Sequence, residues 1–247
     1  MYQSFKPSFD KIAEDYDRLW SSTAIGMSQR NAVWRAVDPL FQQGNRILDV
    51  GCGTGIDALH FQSRGVQVYG IDSSPKMIEV AKRRGVDAQV WPIESLNSLQ
   101  LGFDGAISNF GALNCVEGLD LAARALARLI RKGGHLALCF LGRICAWEIG
   151  YYLLHGNLKK AFRRLSGHSR SELAGNVFYF SNNFIISTFD PYFRLKRYLG
   201  IGLCVPASYA AVSQHLVANL TAIDERLAHR RVLRSLSDHT LYILERL

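Results

Sequence analysis

Short apolar runs alternate with amphipathic segments along the first 142 residues. Each run is bounded by glycine or polar turn residues, as is typical of buried parallel strands. The five runs lie at 45–51, 66–72, 87–91, 103–109 and 135–141. Apolar residues at helical spacing predict helices that begin near residues 56 and 75, and a third over 119–134. Strand–helix units in such a row need right-handed crossovers, so the pattern predicts an α/β protein with a doubly wound parallel sheet.

The pattern changes after residue 142. A helix is predicted through 145–158, strands at 193–205 and 239–247, and a helix near 208–230 between those two strands. We expect a single domain. Its parts are N-terminal cap helices (1–44), a ligand-binding core (45–142), an inserted lid after strand five (143–190) and C-terminal elements that complete a mostly parallel seven-stranded sheet (191–247).

The composition indicates the expected compartment and the kinds of partner. The chain is 48% hydrophobic and 20% charged, as soluble globular proteins are, and no signal peptide or membrane span is evident, so we expect a cytoplasmic protein. The five cysteines lack metal-ligand spacing, which argues against a metal site. The net charge of +8 suits an acidic substrate, a membrane surface or nucleic acid.

A glycine-rich bend carries the chemistry. Gly51, Gly53 and Gly55 follow the first strand, where bare backbone can pass close under a ligand and free amides attract an anionic group. Asp72 ends the second strand, where a carboxylate can accept both ribose hydroxyls. Together they predict a nucleoside ligand with a compact 5′ group, either an adenosyl sulfonium amino acid or NAD. The G-x-G-x-G spacing differs from the G-x-G-x-x-G of dinucleotide folds.

The motifs "LDVGCGTG" and "GIDSSPKMIEVAKRRG" resemble the class I S-adenosylmethionine-dependent methyltransferases. The resemblance extends through "FDGAISNFGALNCVEGL", "LARLIRKGGHLAL" and "DHTLYILER", and is close over about 45–142. It implies a Rossmann-like methyltransferase fold, S-adenosylmethionine as cofactor, and transfer of a methyl group to O or N of a small specialised metabolite.

The resemblance also implies the cofactor residues. Asp49 with Gly51, Cys52, Gly53 and Gly55 would hold the methionine moiety, and Asp72 the ribose. The remaining positions that it implies are Tyr16 over the cofactor, Ser73, Met77 and Ile93 at the adenine, and Asn109 and Phe110 after the fourth strand. Pro92 stands where the family usually has an adenine-binding Asp, so either Glu94 or Trp91 compensates or this contact is missing.

The residues that act on the acceptor are predicted from the lid and the cap. On a helix through 145–158, Glu148 and His155 share one broad face with two tyrosines, and either could accept a proton. The predicted substrate-binding residues are Trp20, Asn114, Trp147, Tyr151 and Tyr152. Cys115 stands where the family often has a histidine, so a histidine base at that place is not available.

Alternative functions remain open at this point. The positive charge would suit a nucleic-acid methyltransferase, although no RNA-binding module is appended, and Pro92 and Cys115 are compatible with a cofactor-binding scaffold that has lost transfer. Segment 151–165 could form a basic amphipathic helix in weak contact with a membrane surface. A monomer or a homodimer fits the sequence.

Overall fold

The computed structural model describes residues 9–206 and 213–247. The strands in these ranges are β1 (Arg46–Val50), β2 (Gln67–Asp72), β3 (Asp87–Val90), β4 (Phe103–Ser108), β5 (Ile130–Leu141), β6 (His168–Ser171), β7 (Gly175–Phe178), β8 (Phe193–Ile201) and β9 (His239–Arg246). The α-helices are α1 (Phe9–Ile12), α2 (Ala24–Val37), α3 (Ile56–Gln62), α4 (Pro75–Arg83), α5 (Leu119–Leu129), α6 (Ala146–Leu154), α7 (Leu158–Ala161), α8 (Asn182–Phe189) and α9 (Gln214–Leu227).

Seven of these strands form one sheet in the order β3-β2-β1-β4-β5-β9-β8. The strands β1 to β5 are parallel, and β9 runs antiparallel between β5 and β8. This arrangement confirms the predicted fold class, a mostly parallel seven-stranded Rossmann-like sheet. The order reverses between β1 and β4, and ligands bind at the carboxyl ends of strands beside such a switch point.

Apolar side chains cover both faces of the sheet, as a doubly wound fold requires. On one face Val33 of α2 and Ala81 of α4 pack with Ile47 of β1. On the other face Leu126 of α5 and Phe189 of α8 pack with strand residues that include Leu48 and Leu136. The helices hold the strands on both sides, so the carboxyl edge is a rigid platform for a site.

The helix predicted over 119–134 ends earlier, at Leu129, and β5 begins at Ile130. Ile130 pairs with Phe103 of β4, and the register shifts before Gly105 pairs with His135. Gly134 approaches β4 so closely that a Cβ there would lie 2.4 Å from the carbonyl oxygen of Asp104. Gly133, with a φ of 74°, and Gly134 therefore permit a strand irregularity. The sequence had instead predicted that these two glycines end a helix.

The N-terminal segment is also more broken than predicted. The sequence predicted cap helices within 1–44, but α1 ends at Ile12 and turns lead to a π-helical turn at Asp17–Ser21. Asp17 bonds outside its own segment, to Thr54 and Arg84, so tertiary contacts replace a regular helix here. The helix predicted near 208–230 is α9, and its predicted residues 208–212 lie outside the described ranges.

The chain between β5 and β8 contains α6, α7, α8 and an antiparallel hairpin of β6 with β7. Asn114 fastens this hairpin to the sheet, because its Oδ1 accepts from the Leu141 amide at 2.8 Å and its Nδ2 donates to the Phe178 carbonyl at 2.7 Å. The hairpin therefore stands at the carboxyl end of β5, beside the switch point.

Candidate functional site

The glycine bend lies where the sheet order reverses. Val50 pairs with Ile71, and the next two amides, of Gly51 and Cys52, donate to the Ile71 carbonyl at 2.8 and 2.9 Å. Gly51, Gly53 and Gly55 all have positive φ, of 74°, 54° and 82°, a conformation that other residues adopt only with strain. The bend thus presents bare backbone beside the end of β2.

Asp72 is the carboxylate at that end of β2. Its Oδ2 accepts from the Gly53 amide at 3.0 Å and its Oδ1 accepts from the Ser74 amide at 2.8 Å. Burial raises the pKa of Asp72, and these backbone donors oppose the rise because they stabilise the ionised form. Each carboxylate oxygen keeps a further lone pair, so the group can still accept hydrogen bonds from a ligand diol.

A cleft of about 1000 Å³ opens over the bend. The predicted cofactor residues that line it are Tyr16, Gly51, Cys52, Gly53, Asp72, Ser73, Met77, Ile93, Asn109 and Phe110. Asp49 and Gly55 do not line the cleft: Asp49 is buried beneath it, and Gly55 lies where α3 begins and a Cβ would meet Val86 at 2.9 Å. Most residues of the motif therefore surround one cavity.

Buried polar atoms in this region lack partners. Neither amide atom of Asn109, which is only 7% exposed and borders the cleft, has a hydrogen-bond partner among the described residues. Oδ2 of Asp49 is likewise unpaired, and burial together with Asp57 raises the pKa of Asp49 well above its usual value although Arg30 opposes the shift. Unpaired buried groups are costly, so these atoms mark a place that a polar ligand would satisfy.

Arg30 is a cleft residue that the sequence reasoning missed. It forms a buried ion pair with Asp57 of α3, which also accepts from the Trp34 indole at 2.7 Å. The guanidinium carbon lies 4.7 Å from the centre of the Phe110 ring, and Nε has no hydrogen-bond partner among the described residues. Arg30 therefore offers a positive group beside the bend, suited to a ligand carboxylate. It lies in α2 outside any motif, so no local sequence pattern indicates it.

The part of the cleft beside Ile93 and Glu94 suits an adenine. Ile93 and Glu94 line the cleft just after Pro92, whereas Trp91 turns its indole to the Ser95 carbonyl at 3.0 Å. Of the two residues expected to compensate for the missing aspartate, the structure brings Glu94 to the cleft. Its carboxylate could accept a hydrogen bond from an exocyclic amino group.

The N-terminal segment closes this side of the cleft through specific bonds. Asp10 accepts from the Ser74 hydroxyl at 2.5 Å and from the Lys76 amide at 3.1 Å. Further along, Thr54 of the bend donates to Asp17 at 2.7 Å. Between these two anchors Tyr16 borders the cleft, and burial raises its pKa, so the phenol stays protonated and can donate a hydrogen bond.

The hairpin of β6 and β7 forms the other end of the cleft, which the sequence reasoning also missed as a binding element. The lining residues from the lid are Arg163, Ser169, Arg170, Ser171, Ala174, Gly175, Asn176, Val177 and Tyr179. The turn signal "AGN" at 174–176 could have indicated a hairpin, since Gly175 has a φ of 71°. Arginines and hydroxyls line this end, and no acidic or histidine side chain of the described residues joins them.

Cys115 also borders the cleft, at the position where the family often has a histidine. Its thiol donates weakly to the Gly111 carbonyl, with Sγ and the oxygen 3.8 Å apart. Burial raises the pKa of Cys115 to about 11, so the thiol is neutral at physiological pH and is a poor base.

The two residues predicted as proton acceptors lie outside the cleft. Glu148 is 1% exposed and is held by Arg163 Nε at 2.8 Å and Arg164 Nη2 at 2.7 Å. Arg164 continues to Asp238 at 2.7 Å. His155 caps the end of α6, exposed, with Nδ1 2.7 Å from the Tyr151 carbonyl oxygen. Through these contacts Glu148 holds two arginines, and the proton-accepting roles of Glu148 and His155 stay predictions.

None of the five predicted substrate residues lines the cleft. Trp20 packs on Tyr16 with ring centres 5.4 Å apart, and Asn114 holds the hairpin as described above. Tyr151 and Tyr152 contact each other on α6, where Tyr151 also stacks on His155. Trp147 is half-buried, and its indole nitrogen has no partner among the described residues. Trp20, Asn114 and the tyrosines thus support residues around the cleft or the lid.

A metal site or a membrane-spanning helix within residues 9–206 and 213–247 would indicate a different binding chemistry. These residues contain no group of three or more His, Cys, Asp or Glu side chains placed to hold a metal ion. Nor does any helix in the same ranges have the length and apolar character needed to cross a membrane.

Comparison with known families and proteins agrees with this geometry. Residues 47–134 match the family model of a methyltransferase domain. A demethylmenaquinone methyltransferase of Clavibacter sepedonicus is 34% identical over 141 residues, which cover 53% of this chain and 55% of that protein. A ubiquinone biosynthesis O-methyltransferase of Xanthomonas oryzae pv. oryzae is 37% identical over 112 residues, covering 40% and 44%. The chain thus spans about half the length of the curated relatives it matches.

Solved structures match over nearly the whole chain. The CcbJ methyltransferase of Streptomyces caelestis superposes with a TM-score of 0.64 at 15% sequence identity and covers 98% of this chain and 99% of its own. At that identity the likeness establishes the fold. Together with the family match over residues 47–134, it confirms the resemblance predicted from the glycine and aspartate motifs.

Proposed function

We propose that this chain, whose core is a class I S-adenosylmethionine-dependent methyltransferase domain, transfers a methyl group to an acidic oxygen of a small molecule. The observation that carries the proposal is the cleft itself. It continues from the glycine bend and Asp72 to the hairpin of β6 and β7, so a donor and an acceptor can lie in one cavity. Its volume of about 1000 Å³ is at the upper end for ligand pockets, which are roughly 300–1,000 Å³.

The donor end fits S-adenosylmethionine. Asp72 would accept from the ribose hydroxyls, Glu94 from the adenine amino group, and Arg30 would pair with the methionine carboxylate. The unpaired Asn109 follows β4, which lies in the sheet between β1, before the bend, and β5, where the hairpin is attached. When bound, the cofactor supplies a methyl group on a sulfonium, which an acceptor displaces in line.

The acceptor end favours an oxygen that ionises easily. Arg163 and Arg170 border it, while the described side chains there include no carboxylate or histidine that could remove a proton. A nearby guanidinium lowers the pKa of a phenol or carboxylic acid and so delivers the acceptor as an anion. Of the two curated relatives described above, one is named a ubiquinone biosynthesis O-methyltransferase and the other a demethylmenaquinone methyltransferase. A phenolic acceptor agrees with the name of the O-methyltransferase, whereas demethylmenaquinone takes its methyl group on a ring carbon.

Asp72→Asn tests the donor site by isothermal titration with S-adenosylmethionine. Losing a charge-assisted hydrogen bond to the ribose weakens binding by about 1.5–3 kcal/mol, or roughly ten- to a hundredfold. Asp87→Asn is a matched control, because Asp87 is an exposed carboxylate on the neighbouring β3 and does not line the cleft. A wild-type protein that does not bind the cofactor would overturn the proposed function.

Mass spectrometry of products from libraries of phenols, carboxylic acids and amines tests the acceptor. We expect methyl ethers or methyl esters, and Arg163→Gln should raise KM for them about tenfold with unchanged cofactor affinity. Arg143→Gln is the control, because Arg143 bonds the Leu165 carbonyl in the same lid but does not line the cleft. Methylation of amines alone would contradict an oxygen acceptor.

A further inference from the structure

Helices α6 and α7, together with the residues just before and after them, expose large apolar side chains. The members of this surface, which we call the α6–α7 patch, are Ile144, Leu153, Leu154, Leu158, Phe162 and Leu165, with Lys159 and Lys160 among them. Leu154 is 87% exposed and Leu158 is 65% exposed. Large apolar side chains that are exposed together indicate an interaction surface. The four residues 154, 158, 162 and 165 follow each other at helical steps of three or four, although the helix is interrupted between α6 and α7.

The charged residues around this patch are mostly positive. Residues 143–171 contain six lysines and arginines and a single acid, Glu148. Glu148 is buried between Arg163 and Arg164, so it contributes no exposed negative charge. The next acid, Glu172, lies in the turn of the hairpin. Of the six cations, Arg164 is buried and Arg163 is half-buried, whereas Arg143, Lys159, Lys160 and Arg170 are exposed. The exposed charge of this segment is therefore positive.

We propose that the α6–α7 patch docks on an anionic lipid surface. Leucine and phenylalanine side chains would enter the boundary between headgroups and acyl chains, and the lysines would pair with acidic headgroups, as interfacial amphipathic helices do. Charge argues against a second copy as the occupant, because a two-fold contact would place this cationic patch against itself.

The position of the patch adds a reason for a lipid surface. Arg163, directly after Phe162, lines the cleft, and so do Ser169 and Arg170 of the hairpin that follows. The docked face therefore adjoins the acceptor end of the cleft, where an apolar acceptor could enter from the bilayer. This inference goes beyond the proposed function, and docking can be measured whether or not transfer occurs.

Co-sedimentation with vesicles tests the docking. We expect the whole chain to bind vesicles of phosphatidylcholine with 30% phosphatidylglycerol and not vesicles of phosphatidylcholine alone. Leu154→Ser with Leu158→Ser should weaken binding about tenfold or more, and so should Lys159→Glu with Lys160→Glu. Cofactor affinity, measured on the same samples, should stay at the wild-type value because none of the four residues lines the cleft.

Matched controls separate the patch from general properties of the surface. Leu121→Ser with Val232→Ser removes two apolar side chains that are 53% and 73% exposed on other elements. Lys82→Glu with Lys132→Glu makes the same charge change at two exposed lysines elsewhere. Both control pairs should bind vesicles within about twofold of the wild type. If the leucine pair fails to fold, the lysine pair decides the question.

Three results would overturn the proposal. The first is no binding of the wild type to anionic vesicles. The second is equal loss of binding in the patch and control variants. The third is a protein complex in place of a lipid contact: a dimer in size-exclusion chromatography that Leu154→Ser with Leu158→Ser converts to a monomer, without vesicle binding by either.

Discussion

Asp49 shows how a single buried residue can cost stability at a functional site. It is 1% exposed, one of its oxygens lacks a partner among the described residues, and its pKa is raised well above 3.8 by burial and by Asp57. A folded-state pKa above the unfolded one means that stability falls as pH rises from the unfolded value to the folded value, because the unfolded chain loses its proton first. Asp49→Asn, which cannot ionise, should therefore be more stable than the wild type at pH 7.

Denaturant unfolding at several pH values checks this expectation. The difference between Asp49→Asn and the wild type should shrink as pH falls through the raised pKa. It should vanish below about 3.8, where Asp49 is protonated in both states. A variant that is less stable than the wild type at pH 7 would contradict the account and would mean that Asp49 makes a stabilising contact in its ionised form.

A side chain at Gly53 would strain the backbone and would also occupy space in the cleft, and these two effects can be measured separately. Its φ of 54° disfavours other residues, yet a Cβ there would meet no protein atom within 4 Å, and the residue borders the cleft. Gly53→Ala should cost about 1–2 kcal/mol of stability through backbone strain. It should weaken cofactor binding about tenfold or more, because the added methyl group would occupy ligand space.

Gly85→Ala is the matched control for that change. Gly85, after α4, has a φ of 85° and equally open surroundings but does not line the cleft. Its stability should fall by a similar amount while cofactor affinity, measured by titration, stays unchanged. Equal cofactor affinity in Gly53→Ala and the wild type would show that the bend does not contact the ligand.

The cleft residues differ in how far the sequence could predict them. Gly51, Gly53 and Asp72 belong to local motifs whose geometry follows from one strand end and one turn, so their place beside the cleft could be predicted. Arg30 could not be, because its position depends on how α2 packs against α3 and on the ion pair with Asp57. The ion pairs of Glu148 could not be predicted for a similar reason, because helical spacing gives a shared face but not which partner that face meets.

At the scale of elements, the strands of the core were predictable and the ends of some elements were not. The strands β1, β2 and β4 are short, largely buried apolar runs with their own boundary residues, whereas β3 at the edge of the sheet is mostly exposed. The junction of α5 and β5 depends instead on the close approach of Gly134 to Asp104, which no local pattern encodes. The hairpin of β6 and β7 likewise consists of short, half-exposed strands without clear alternation of apolar and polar positions.

The lid is joined to the sheet by a buried ionic network that can be tested as a unit. Glu148 of α6 binds Arg163 and Arg164, and Arg164 reaches Asp238 just before β9. His239 and Arg164 hold the pKa of Asp238 below its usual value although burial opposes this. Glu148→Gln would leave Arg164 partly unpaired in a buried place, at a cost of about 3 kcal/mol in the free energy of unfolding.

Chemical denaturation measures this effect, with Glu79→Gln as the control. Glu79 pairs with Lys76 at 2.8 Å on the surface, with both side chains more than half exposed, so its loss should leave stability unchanged. A Glu148→Gln protein with wild-type stability but a greatly reduced kcat would restore the sequence-based hypothesis that Glu148 accepts a proton.

At the scale of the whole molecule, the cofactor should act as a stabilising ligand. The bend follows β1, Asp72 ends β2, Arg30 belongs to α2 and Tyr16 to the N-terminal segment, so one bound molecule would join elements from across the N-terminal half. A ligand that binds only the folded state stabilises it by about 2.7 kcal/mol at a hundredfold excess over Kd. For a chain of 247 residues this corresponds to a rise in Tm of roughly 5–10 °C.

Thermal unfolding with each candidate ligand checks this expectation and decides between the two nucleosides that the bend allows. S-adenosylmethionine at a hundredfold excess should give the full shift in the wild type and a reduced shift in Asp72→Asn. NAD at the same concentration should give none, because the G-x-G-x-G bend lacks the spacing that places a pyrophosphate at a helix N-terminus. An equal shift with NAD would show that the bend recognises only the adenosine that both molecules share, and the methyl donor would then have to be identified by turnover.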